Sequence, residues 1–430
     1  MARAEAGRRR CGAAVAVAAA MSASACSGIF QHSLPEVPAA YDRIATGPEL
    51  RVGAAERDVT PDVGCYLAGF GIGRTSTGVA SPLKVRAMVF GLGDRRFAIL
   101  GIDNLGVMRE DSDWIKSGIA GFANGDVFLC ASHTHAGADL IGLWGFYFMS
   151  SGRDPAYVAK VRRAAAEAVA EAWHNAAPAV LVHGCERIAA RGFVKNAKHP
   201  ECFDRRVDVV CARAVDDGRP LGTLLHAACH PEVMPRTNTL ISADYVGALC
   251  DGWKEAGLGQ AVFVNGALGA MVSPIGQERN MDGVRNLGGE MLRLAKLALG
   301  HAEPVPVDAI EVHRRDFYVS VNTLGMRLGR LTMVIQRELY SGCARSTVGY
   351  LRIGSLRAIA VPGEMEPALA ERTRERLGMP DAMVFGLCDD ELGYLMRVQD
   401  ARTPEYGYER SMSPTLLTGE IVSAALCGAR

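Results

Sequence analysis

Short apolar runs alternate with amphipathic stretches through most of this 430-residue chain, and that alternation is the strongest constraint on its fold. Runs at 97–102, 127–131, 207–213, 221–229, 261–264, 356–361 and 382–387 have the length and composition of buried strands. Stretches at 154–175, 243–256, 285–300 and 365–377 read as amphipathic helices, the first with alanines, valines and Trp173 spaced three to four apart. Strands and helices taken in turn predict an α/β fold: a single large domain with a mixed, mostly buried β-sheet flanked by helices. At 49% hydrophobic residues the chain can bury a substantial core, and no internal repeat interrupts the pattern.

Several of these runs end in chemistry. Val127-Phe128-Leu129-Cys130 closes on Ala131-Ser132-His133-Thr134-His135-Ala136-Gly137. Open α/β sheets place ligands at the carboxyl ends of strands, and histidines one residue apart on extended backbone point to the same side. The pair can share one metal or one substrate, because neutral imidazole ligates zinc well. By itself the motif reads as plainly as two loop histidines bonded to backbone. Leu225-His226-Ala227-Ala228-Cys229-His230-Pro231-Glu232 repeats the design, and Leu356-Arg357-Ala358-Ile359-Ala360-Val361-Pro362-Gly363-Glu364 repeats it with a carboxylate. Singly, His230 reads as a core histidine and Glu364 as a charge at a helix N-terminus. Together, two histidines and a glutamate from separate segments match the three-ligand arrangement that leaves a zinc position open, and predict a zinc site at the strand ends.

Lysine plus arginine (47) balances aspartate plus glutamate (47), so the chain carries no electrostatic footprint for nucleic acid. Its first residues differ in kind. Arg8-Arg9-Arg10, the alanine-rich segment from Cys11 to Met21 and the small residues up to Cys26 make a secretory signal peptide over 1–26, too short in its apolar part to span a bilayer. Ala23-Ser24-Ala25-Cys26 resembles the box of bacterial lipoprotein processing, with alanine where leucine is usual. Lipidation of Cys26 and simple cleavage after Ala25 stand as alternatives, and either sends the protein to the periplasm, the cell surface or the medium. Residues 27–49, polar and aperiodic, read as a flexible tether, and 50–430 as the folded domain. The twelve cysteines are scattered without a Cys-x-x-Cys, and Cys130, Cys211 and Cys229 read as small buried hydrophobes.

The glycine cluster Leu67-Ala68-Gly69-Phe70-Gly71-Ile72-Gly73 lacks the spacing of a dinucleotide loop and reads as a tight turn where backbone approaches something closely. With Val52-Gly53-Ala54 and Asp58-Val59-Thr60-Pro61 before it, it opens an ordered set of motifs. The set continues through the His-Thr-His segment, His230, Asn238-Thr239-Leu240-Ile241-Ser242-Ala243-Asp244, Pro362-Gly363-Glu364, Gly393-Tyr394 and Tyr408-Glu409. This order resembles the N-terminal catalytic domain of the neutral/alkaline non-lysosomal ceramidases, from about residue 50 to about residue 413. The resemblance implies a zinc amidohydrolase acting on a lipid-like amide, splitting N-acylsphingosine into sphingoid base and fatty acid. It implies zinc held by His133, His230, Glu364 and Tyr394. It places His135 and Tyr408 on the substrate amide and its developing oxyanion, and it matches Val272-Ser273-Pro274 to the segment that carries the family's catalytic serine.

Zinc lowers the pKa of water toward about 7 and polarises carbonyls, which suits amide hydrolysis. Asp103 and Asp244 are candidates for fixing imidazole tautomers, with salt bridges as the alternative for each. The chain departs from the family in three places. The segment Asn265 to Pro274 is one residue longer and lacks an aspartate, which leaves Ser273 either a nucleophile or a group that orients substrate or water. An arginine between the histidine segments has only Arg191 or Lys195 as stand-ins, and the C-terminal immunoglobulin-like domain has no counterpart. Leu143-Trp144-Gly145-Phe146-Tyr147-Phe148-Met149 either lines a slot for an acyl chain or packs in the core. Two other functions fit the same residues: hydrolysis of another amide or ester on this scaffold, and a non-catalytic surface lipoprotein that binds a ligand.

Overall fold

The computed structural model describes residues 31–429 apart from Val37, Phe148, Met149, Arg191 and Met333. The export signal expected over 1–26, Cys26 included, lies outside the described residues. After β1 (Ala40–Thr46) the chain lays down β2 (Leu50–Asp58), β3 (Lys84–Leu92), β4 (Arg95–Ile102) and β5 (Val127–Ala131). Then come β6 (Ala177–Arg187), β7 (Arg206–Ala214), β8 (Pro220–Ala227) and β9 (Ala261–Asn265). Strands β2 to β9 make up most of a nine-stranded sheet ordered β9-β8-β7-β6-β2-β3-β4-β5, parallel in the outermost pair at each end and antiparallel between. A second, seven-stranded sheet joins β1 to β10 (Ala309–Ser320), β11 (Cys343–Ile353), β12 (Leu356–Ala360) and β13 (Met383–Phe385).

The molecule is thus a four-layer αββα stack. Helix α1 (Arg109–Lys116) sits beside the first layer, where α2 (Pro155–His174), α3 (Asp244–Glu255) and α4 (Met281–Gly300) cover one face of the nine-stranded sheet. The other face of that sheet packs on the second sheet, with Phe90, Phe128 and Val264 against Ile310, Leu351 and Phe385. Beyond α5 (Leu324–Leu331), α6 (Pro367–Leu377) and α7 (Thr418–Gly428) cover the outer face of the second sheet. Strand β5 shows why its run is apolar throughout. Leu129 points to the helix layer while Phe128 and Cys130 point between the sheets, so alternation selects two apolar environments rather than one apolar and one wet. Each such fully buried side chain contributes roughly 1.5–3 kcal/mol. Helix α2 starts where the sequence says it should: Asp154 accepts from Ala156 N at 2.8 Å and Pro155 takes the first turn.

The mixed α/β fold flanked by helices is the one expected, with its strands divided over two large sheets; those that carry charged or small residues (β3, β10, β11) do not show as apolar runs. One expectation needs correction. The tether expected over 27–49 is structured over Ala40–Thr46, where β1 pairs antiparallel with Ala309–Arg315 of β10. Only Ala45 of that strand is buried, so its order comes from backbone bonds to a neighbour more than 260 residues away, and no side-chain pattern announces it.

Candidate functional site

The chain delivers its chemistry where strands stop. His133 lies just past β5, with φ at 75°, an unusual backbone state for a non-glycine residue that marks a constrained position. Its N–H donates to Asn104 O at 2.8 Å and holds it there. His230 follows β8 and donates its N–H to Val272 O at 2.8 Å. The turn before Val272 places Ala270 and Met271 in the left-handed region, at 59° and 61°. Glu364 follows β12 and pairs side by side with Tyr394 in a short parallel bridge. Asn265, at the end of β9, ties these ends together. Its side chain donates to Ser132 O and Cys229 O, both at 2.9 Å, and accepts from Cys229 N at 3.1 Å.

The three imidazoles form one buried cluster, with ring centroids 5.0 Å apart for His133 and His230, 5.1 Å for His133 and His135, and 5.8 Å for His135 and His230. Their donor atoms lie within 4.8 Å of one another, a spacing that could hold a metal ion. His133 Nδ1 faces Leu105 O at 2.7 Å and His230 Nδ1 faces Val272 O at 2.9 Å. Backbone carbonyls therefore set both tautomers, and both Nε2 atoms turn to Glu364 Oε2, at 3.6 Å and 3.0 Å. With Nδ1 donating its proton, a neutral His230 meets the carboxylate oxygen lone pair to lone pair. That contact requires a proton or a cation, and this donor set suits zinc. His135 adds a second sign. Both its ring nitrogens are buried without a hydrogen-bond partner among the described residues, a costly arrangement that a ligand or metal relieves.

Electrostatics follow the same geometry. Burial lowers the His133 imidazole, and Glu364 only partly offsets it. His135 falls well below the usual value, from burial first and then from the two neighbouring rings, so it is neutral at neutral pH. Burial acts on His230 too, but its bond to Glu364 more than restores the charge and raises it. Burial would raise Glu364, and the two histidines pull it lower. Burial and the Glu364 charge lift the Tyr394 phenol well above its ordinary value.

His133, His135 and Glu364 of this cluster line a pocket of about 880 Å³, its mouth included. Leu105, Met108, Ile141, Trp144 and Ile335 make its wall apolar, and Tyr408, 55% exposed, stands at the lip with its ring 6.0 Å from that of Tyr394. Of the aromatic segment after His135, Leu143 and Trp144 face this pocket, Phe146 is exposed, and Phe148 and Met149 lie outside the described residues. The glycine turn does approach something closely. Gly69 has φ +98° and a Cβ there would meet the His135 ring at 2.6 Å.

Other expected residues lie elsewhere. Ser273 sits on the short strand Val272–Pro274 opposite Lys195, its hydroxyl buried without a hydrogen-bond partner among the described residues, and is not among the residues lining the pocket. Asp103 does not hold an imidazole. It accepts from Arg86 at 2.7 Å and Lys84 N at 2.9 Å, the salt-bridge alternative. Asp244 accepts from Met234 N and Tyr245 N, and burial raises its carboxyl to about 6. Arg191 is outside the described residues and Lys195 is exposed. One arginine beside the site that sequence reading passed over is Arg74. It donates to His135 O at 2.6 Å and Ala68 O at 2.7 Å and stacks 5.1 Å from the Phe70 ring, while burial lowers its guanidinium to about 10. Its only sequence signal is its place directly after the glycine turn it fastens.

No protein-family model and no curated protein matches the sequence. Among solved structures, the fold is similar to a neutral ceramidase from Pseudomonas aeruginosa, with TM-score 0.69 and 16% identity over 89% of this chain and 74% of that one. It is also similar to a structure described as a ceramidase complexed with C2, with TM-score 0.72, the same identity and the same coverage. At that identity the similarity shows the fold alone: this chain folds as the neutral ceramidases do.

Proposed function

We propose that the protein is a zinc-dependent hydrolase of N-acyl amide bonds in a lipid substrate, of the kind neutral ceramidases cleave. The observation that carries this reading is the convergence of His133, His230 and Glu364 beside a His135 whose ring nitrogens have no hydrogen-bond partner among the described residues, with His133, His135 and Glu364 lining an apolar pocket. His133, His230, Glu364 and Tyr394 would hold the ion, which when bound supplies Lewis acidity for the amide carbonyl and acidifies water. The apolar wall takes the acyl chain and excludes water from the amide. His135, neutral and buried, donates its N–H to the oxyanion, or takes the proton of the attacking water on its bare nitrogen and passes that proton to the departing nitrogen. Tyr408 at the lip offers a second hydroxyl donor to the same oxygen. Ser273 takes no covalent step; its hydroxyl lies outside the pocket wall and would act only by positioning a water.

The test joins metal analysis of the purified protein to turnover of a panel of fluorescent N-acyl amides that includes ceramide. About one zinc per chain, with fatty acid released from long-chain amides, is the expected result. A metal-free protein, or one that turns over none of the panel with zinc present, overturns the reading.

A further inference from the structure

The rim of the pocket carries a feature that amide hydrolysis does not use. Helix α5 turns Met326 toward the pocket and presents Leu324, Leu328 and Leu331 to solvent, the first 71% and the last 65% exposed. Spacings of four and three put these leucines on one helix face. Three other segments that line the pocket do the same. Phe146, 72% exposed, follows Leu143 and Trp144; Ile72 follows Gly69; Leu416 and Leu417 follow Met412 and Pro414. Close backbone contacts join the segments into one rim. Gly73 N donates to Gly145 O at 2.8 Å, Asn322 N and Thr323 N donate to Pro414 O at 2.9 and 3.1 Å, and a Cβ at Gly142 would lie 2.4 Å from Val334 O.

The charge of the rim helix selects what it meets. From Val321 to Arg337 the sequence has Arg327, Arg330 and Arg337 and neither aspartate nor glutamate. Arg337 turns inward to Asp390, while Arg327 is exposed. An outward leucine stripe with the exposed Arg327 and no acid in the helix is the chemistry of a helix that lies on a membrane surface. A second copy of the chain fits less well. A two-fold contact would set arginine-bearing helices against each other and seal the pocket mouth, whereas anionic headgroups complement the arginines and leave the mouth facing lipid. We propose that this rim is a docking surface for a phospholipid bilayer, with α5 in the headgroup layer, its leucines and Phe146 at the acyl boundary, and the pocket opening onto the lipid.

Flotation with vesicles of phosphatidylcholine containing about one third phosphatidylglycerol tests this without any turnover, so failure of the hydrolase reading would not disturb it. The wild type should float with the vesicles. A Leu328→Asp, Leu331→Asp double variant, and separately Phe146→Asp, should lower partitioning by about tenfold or more with the circular dichroism spectrum and Tm unchanged. Arg327→Glu should weaken binding to the anionic vesicles and leave binding to pure phosphatidylcholine as it was. Hydrolysis of a short-chain, freely soluble amide should stay at the wild-type rate in all of these variants. A wild type that stays unbound, or variants that float equally well, overturns the proposal. So does a dimer by light scattering that Leu328→Asp converts to monomer, which would give this face to a second copy.

Discussion

His135 has two buried ring nitrogens with no hydrogen-bond partner among the described residues; the nearest carboxylate, Glu232, stands 3.9 Å from Nδ1. An orphaned buried polar group costs about 1–3 kcal/mol, so the position makes sense only when something else enters the site. His133 and His230, by contrast, have their Nδ1 atoms committed to carbonyls and their Nε2 atoms turned on one carboxylate oxygen. That difference separates the roles. His135→Ala should retain the metal and lose about 10²–10³ in kcat, the usual loss for one oxyanion donor. His230→Ala should lose the metal, and elemental analysis beside kcat reads both. Ser273, half-buried on a strand with its hydroxyl turned inward and no base in its own segment, gives a different expectation. Ser273→Ala should slow turnover by about tenfold to a hundredfold, as lost positioning does, and mass spectrometry of the wild type under turnover should find no acyl-enzyme. At this scale the histidines were legible because a strand-ending His-x-His is visible in one line of text. Their tautomer-setting partners were not, because Leu105 and Val272 act through carbonyls, which every residue type has. Reading for side chains pointed instead to Asp103 and Asp244, which are occupied elsewhere.

Among the elements, apolar runs announced β4, β5, β7, β8, β9, β12 and β13, and the four long amphipathic helices fell where expected. Strands β3 and β10 escaped because each carries a buried arginine whose partner is distant in sequence. Arg86 pairs with Asp103 at 2.7 Å, and Arg314 is paired with Asp389, 75 residues on. Read locally, a charge in mid-strand argues against burial; read with its partner, it is a fixed point of the core. Asp389 is such a point. It accepts from Lys116 of α1 at 2.9 Å, from Leu129 N of β5 at 3.1 Å and from Arg314 of β10. It therefore links the two sheets and the helix beside them. Burial would raise its carboxyl, but Arg314 and Lys116 outweigh burial and hold it well below the carboxylate range. The folded value lies below the unfolded one of about 3.9, so the contribution is full above that pH and is lost as pH falls through the folded value. Asp389→Asn leaves the buried Arg314 without its counter-charge and Lys116 with only Asp113, at 3.6 Å, and should cost about 3–5 kcal/mol at pH 7. The gap from wild type should narrow below about pH 4. Denaturant unfolding at pH 7 and pH 3 measures both, and a gap that stays constant would show that the carboxylate charge is not what matters.

Across the whole molecule, the site draws on segments from Gly69 to Tyr408, and no local signal says that they meet. Their order along the chain carried that information through family resemblance, and the shared fold agrees with it at 16% identity. What order could not convey is how the meeting is enforced. Strands β5 and β9 are the two extremes of the nine-stranded sheet, and the site needs the end of β5, where His133 emerges, beside the end of β8, where His230 emerges. Asn265 bridges them. One side-chain amide holds the carbonyls of Ser132 and Cys229, and its own carbonyl oxygen holds Cys229 N. Gly386 N also donates to the Asn265 backbone at 2.9 Å, which draws in the segment leading to Tyr394. A residue that touches no metal thus fixes the distance between two that would. Asn265→Ala removes the bridge and leaves the β9 backbone in place. It should weaken zinc binding by about tenfold to a hundredfold, the range for residues that orient ligands, while the circular dichroism spectrum stays native. Chelator competition reads the affinity directly. An unchanged zinc Kd in the folded variant would mean that the sheet alone sets the spacing of the histidines and that Asn265 serves only its own burial.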